Sequence, residues 1–271
     1  MAFLAVIWTL VAACLIALGV SWPTLHILLT LVLDPLWFLG VFALLTAVTP
    51  IAVGVVRRFG VGAVLIPLAM VASVDLVRFN FGDLAWLGWI NVLAGWAVPY
   101  LLGIAWARGA FARRTIPAIM LGGGVAAAAA LVVLAGYPAS MVGVNGAAIS
   151  NLNPPTLAAV TFGIAQAGLA LLLRDPLARW MRRPLAWASV AVANLSAMTL
   201  FLWHQTALIT VTMLGSLSGR IPGLLTAPSS LAWVAERLAW LPAFAIVLGV
   251  LLATFWRAEQ PVQLSARIEA R

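Results

Sequence analysis

Six stretches of this chain carry no Asp, Glu, Lys or Arg: residues 1–33, 35–56, 84–107, 115–173, 184–219 and 238–256. Hydrocarbon offers no partner to a backbone N–H or C=O, so only helices and closed barrels cross it, and a bare charge there is expensive. About 20 apolar residues are enough to span a core about 30 Å thick. Stretches of this length therefore specify an all-α, polytopic transmembrane helical bundle. Charged residues make up 8% of the chain, against about 25% in soluble domains. No segment is polar enough to be a separate soluble domain, so 1–271 reads as a single bundle.

The spacing predicts about eight spans, near 2–20, 35–56, 60–77, 84–106, 116–136, 155–173, 186–214 and 238–256. Thr24–Leu33 is too short to cross, so it either turns back or lengthens the second span. Every basic residue is an arginine, and the net charge of +8 would point to nucleic acid in a soluble protein. Here the arginines record topology instead, and no nucleic-acid partner is expected. Twelve lie in the tail and in the connections after spans two, four and six, against three (Arg78, Arg220, Arg237) on the other side. That asymmetry predicts cytoplasmic N- and C-termini. The uncharged connection Tyr137–Pro155, with Asn145, Ser150, Asn151 and Asn153, then faces outward. Cys14 is the only cysteine, which excludes internal disulfides and cysteine metal sites. No basic region precedes the first apolar run, so a cleaved leader is not expected. Gly122–Ala130 (GGGVAAAAA) reads as a face for close helix packing.

The seventh span holds the densest polar content: Asn194, Ser196, Thr199, His204, Gln205 and Thr206. On a continuous helix Asn194 and Gln205 differ by about 20° and share a face, with His204 about 80° from Asn194. Such a stripe belongs against other helices or a wet cavity. His204 is then a general base, a relay or a substrate hydrogen-bonding group; the plainer alternative is a neutral core histidine bonded to a neighbouring helix. Asp75 and Arg78, three apart, are expected to form a structural ion pair. His26 reads as a boundary histidine. Trp86, Trp89, Trp96 and Trp106 read as interfacial anchors, or alternatively as a stacking platform. The Arg174–Arg183 run could draw an anionic donor or lipid headgroups. No phosphate-binding loop, dinucleotide motif or HExxH is present, and two distant histidines predict no metal site.

Four stretches resemble the integral-membrane acyltransferase family (type three): DPLWFLGVFALLTAVTP (34–50), VDLVRF with WLGWINVLAGW (74–79 and 86–96), YPASMVGVNG with SNLNPPTLA (137–146 and 150–158), and NLSAMTLFLWHQTALI (194–209). Together they cover Asp34 to about Leu214. The resemblance implies O-acylation of a hydroxylated acceptor, a carbohydrate or glycolipid, at a bacterial cell (plasma) membrane. Its donor would be acyl-CoA or a related acyl thioester, with no metal. Asn194, Thr199, His204, Gln205, Asn151 and Asn153 would then bind substrate, with His204 the catalytic candidate. In the family this chain resembles, the first span carries an Arg followed about ten residues later by a His; the His deprotonates the acceptor hydroxyl, and arginines assist the acyl-CoA donor. Residues 1–33 contain no Arg, His26 has none upstream, and Tyr100-Leu101 stands where similar sequences show His-Gln. The expectation is a member lacking its N-terminal spans, with little activity alone, or one completed by a second chain. A transporter-like or flippase-like bundle, or a non-catalytic membrane partner, is the rival reading.

Overall fold

The computed structural model describes residues 2–139, 150–219, 221–226 and 231–259, and among them every regular element is helical. In chain order these are α1 (Ala2–Ala17), α2 (Trp22–Ala47), α3 (Thr49–Phe59), α4 (Leu65–Asn80), α5 (Gly88–Ala107), α6 (Thr115–Leu134), α7 (Leu157–Trp180), α8 (Pro184–Leu195), α9 (Ala197–Ser216), α10 (Leu231–Ala239) and α11 (Leu241–Glu259). Short 3-10 turns, Gly60–Val64 and Gly82–Leu87, flank α4. Among the described residues, seven helical stretches are long and apolar enough to cross a membrane; α1 and α8 are shorter.

Three boundaries add to or differ from the sequence expectation. Thr24–Leu33 lengthens the second span, because α2 runs unbroken through it. The break expected at 57–59 follows directly at the 3-10 turn Gly60–Val64, and a further one falls at Val48, where Pro50 opens α3. Proline is pre-organised for a first helical turn and disfavours helix just before itself. Arg57 and Arg58 thus close α3 inside the apolar stretch Thr49–Asn80. The third difference is at Ser196, where the expected seventh span divides into α8 and α9. Asn and Ser compete for backbone hydrogen bonds inside helices, and Asn194 and Ser196 flank this break.

The chain forms two compact units, Met1–Phe38 with Pro184–Arg271, and Leu39–Arg183. In the first, Leu4 and Trp8 of α1, Val32 of α2 and Leu202, Trp203 and Ile209 of α9 make a buried core, with Leu248, Leu251 and Phe255 of α11 packed on it. Trp203 stacks on Phe255 with ring centres 4.1 Å apart. The Trp8 indole donates to the Thr206 hydroxyl at 3.0 Å.

The second unit is centred on α5, whose Ala94, Val98, Leu101, Leu102 and Ala105 are buried together with Val56, Val71, Phe111, Met120 and Val160. Without water outside, helices gain little from apolar burial and rely on close packing. Here α6 and α7 touch through backbone. A Cβ on Gly124 would stand 2.7 Å from the Thr161 carbonyl oxygen, and one on Gly168 2.6 Å from that of Pro117. The expected packing face in GGGVAAAAA is carried by Gly124 and the buried Ala128, while Gly122 and Gly123 look into open space.

Candidate functional site

In the first unit, α9 carries the predicted stripe. Thr199 is buried, while His204, Gln205 and Thr206 are half-buried. The His204 Nδ1 lies 2.8 Å from the Phe201 carbonyl oxygen. A carbonyl only accepts, so Nδ1 carries the proton, and in the neutral ring Nε2 keeps its lone pair. The Phe201 ring lies 6.2 Å from the imidazole, centre to centre. Asn194 is exposed on α8, across the break at Ser196 from Gln205. His204, Thr199 and Gln205 thus stand together on one helix, and Asn194 stands apart. His26 is exposed on α2.

The second unit holds a polar centre that the sequence only half revealed. Asp75 of α4 is fully buried. One of its oxygens accepts from the Asn91 amide of α5 at 2.8 Å. The other accepts from the Tyr137 hydroxyl at 3.1 Å and from the Leu157 backbone N–H, the first of α7, at 2.7 Å. One carboxylate thereby joins four segments, and its negative charge sits where a helix N-terminus welcomes it. Burial, and then the Asp75 charge, push the Tyr137 phenol above its usual range, which keeps it a donor. The expected Asp75–Arg78 pair is present only as a 3.7 Å contact. That distance is too long for a hydrogen bond. Arg78 Nε and Nη1 and Asn91 Oδ1 are buried with no hydrogen-bond partner among the described residues.

The two candidate loop asparagines belong to the same unit. Asn151 is fully buried, donating to the Pro138 carbonyl at 2.6 Å and accepting from the Thr156 hydroxyl at 2.6 Å. Thr156 in turn caps α7, its hydroxyl accepting from the Ala159 N–H. Asn153 is exposed. Pro154 and Pro155, which follow it, pack onto α5 where Gly88 and Gly95 leave room for them. Asn145 lies outside the described residues. Thus Asn151 ties down the connection, and of the two asparagines Asn153 is the one open to a ligand. The four tryptophans do not make one platform: Trp86 and Trp89 are exposed near the start of α5 and Trp106 near its end. Tyr100, in the His-Gln position of the resemblance, bonds the Thr49 hydroxyl at 2.6 Å.

Sequence reasoning passed over Asn91 and Tyr137. The available signal was a lone amide inside the charge-free run 84–107, and one of only two tyrosines. Residues 2–257 match the family described as acyltransferase domain (type three). This range takes in α1 as well as the stretch Asp34–Leu214 that carries the resemblance. No curated protein and no solved structure matches the chain.

Proposed function

The chain belongs to this acyltransferase family, and on that premise we propose that it serves O-acylation of a hydroxylated acceptor, a carbohydrate or glycolipid, at the bacterial plasma membrane. The acyl group comes from acyl-CoA or a related thioester. The acceptor oxygen bonds to the acyl carbonyl carbon, the carbon–sulfur bond breaks, and the hydroxyl proton passes to an imidazole. The observation that carries the reading, beyond the family match, is the α9 stripe. His204 presents a free Nε2 lone pair because Nδ1 is held by Phe201, and Thr199 and Gln205 accompany it on the same helix. His204 holds the acceptor hydroxyl, and Gln205 lines its approach.

The resemblance assigns deprotonation to an N-terminal His preceded by Arg, which residues 1–33 do not supply. These 271 residues alone are therefore expected to turn over at background with acyl-CoA and a hydroxylated acceptor. Transfer is expected once a segment bearing that pair is supplied, in cis or as a second chain. Robust turnover by the chain alone that disappears in His204→Ala would make His204 the base itself. Failure in both arrangements, together with unmodified acceptor moving across vesicles containing the chain, would replace acyl transfer with transport.

A further inference from the structure

Between α5 and α7 lie two grooves that share Pro99 and Leu102 as walls. One, of about 280 Å³, opens beneath Leu152 and Pro155. The other, of about 640 Å³, continues past Gly103 and Ala170 to Trp106, Arg174 and Met181. The cleft has a physical cause. The glycine contacts hold α7 against α6, and among the larger side chains it presents to the cleft, Ala159, Gly163, Ala167, Ala170 and Ala178 leave the gap unfilled. From Ala167 to Met181 the larger groove follows about 21 Å of helix, more than the roughly 15 Å of one leaflet's hydrocarbon.

Arg174 lines the end of this cleft, and the two segments that meet there are strongly basic. Arg108, Arg113 and Arg114 come from the α5–α6 connection, and Arg174, Arg179, Arg182 and Arg183 from the end of α7. Arg174 donates to the Phe111 carbonyl, and Arg114 to Asp175 at 2.8 Å, so the two segments meet there. Asp175 is already shared by Arg114 and Arg174. Arg108, Arg113, Arg179, Arg182 and Arg183 have no ion pair among the described residues. Membrane topology accounts for the number of arginines, but not for an apolar cleft that leads to them. Basic pockets between spans are where anionic headgroups bind.

We propose that the α5–α7 cleft is a binding site for an anionic phospholipid of the surrounding membrane, one acyl chain lying along Gly103 and Ala170 and the phosphate at the Arg174 end. The site does not depend on acyl transfer. The lipid supplies the contacts that small side chains leave unmade, and its phosphate meets cations that lack a carboxylate.

The test uses the purified full chain and native mass spectrometry with phosphatidylglycerol, phosphatidylcholine and palmitoyl-CoA as probes. Phosphatidylglycerol should bind about tenfold tighter than phosphatidylcholine, and the double change Arg179→Gln with Arg182→Gln should remove about that preference. Gly103→Leu, whose side chain enters open space, should block both phospholipids at an unchanged melting midpoint; Ala170→Phe closes the cleft from the other wall if the first variant folds poorly. Equal retention of the two phospholipids would overturn the proposal. So would phosphatidylglycerol binding that survives both cleft-filling changes, which would reduce the arginines to a surface patch. Displacement of phosphatidylglycerol by a lower concentration of palmitoyl-CoA would also overturn it, assigning the cleft to a soluble thioester.

Discussion

Asp75 is a single carboxylate on which three donors from other segments converge. Asp75→Asn turns one acceptor oxygen into a donor facing Asn91, or else Tyr137 and the Leu157 N–H. It should destabilise the second unit by about 1–3 kcal/mol for each group left unsatisfied, read as a lowered melting midpoint in detergent. Asp175→Asn, whose partners lie in solvent-accessible positions, should leave that midpoint unchanged. An equal loss from both would mean that Asp75 is no hub. His204 is expected to behave differently from either. Its Nε2 is free of any protein partner in the described residues, so, with a segment bearing the Arg/His pair supplied, His204→Ala should lower acyl transfer more than protein abundance. Full activity at normal abundance would leave His204 a packing residue.

Among the helices, the α6–α7 contact depends on two glycines that no larger residue can replace in place. Gly124→Leu and Gly168→Leu drive a side chain into backbone less than 3 Å away. Each should cost about 1–3 kcal/mol or force the helices apart, as overpacking does. Gly122→Leu, in the same low-complexity run, meets nothing within 4 Å and should fold like the parent. Thermal unfolding of the three variants side by side checks this, and a Gly122→Leu loss as large as the others would mean the run packs on another face. The α8–α9 break belongs to this scale too, since it separates Asn194 from the residues with which periodicity grouped it.

For the whole molecule, the arginine distribution predicts which loops share a side of the membrane. Asn153→Cys, in the uncharged connection, should react with an impermeant thiol reagent in intact cells. Arg113→Cys, in the basic connection after α5, should react only after permeabilisation, and tags on both termini should behave like Arg113→Cys. The labelling background from native Cys14, exposed on α1, is removed with Cys14→Ser. Labelling of both positions from the same side would overturn the alternation on which the cytoplasmic termini rest.

Membrane class and helical architecture were legible from charge spacing alone, because hydrocarbon enforces them on any such sequence. The family was legible too, since the ordered stretches from Asp34 to Leu214 survive as strings. The hub at Asp75 was not: its partners stand 16, 62 and 82 residues away, and hydrogen bonding over such separations leaves no periodicity. Nor could spacing show which glycine of GGG meets a backbone, because that depends on where α7 lies. The same tertiary fact decides the α5–α7 cleft. A cavity is the volume that packed helices fail to fill, and no single segment carries it.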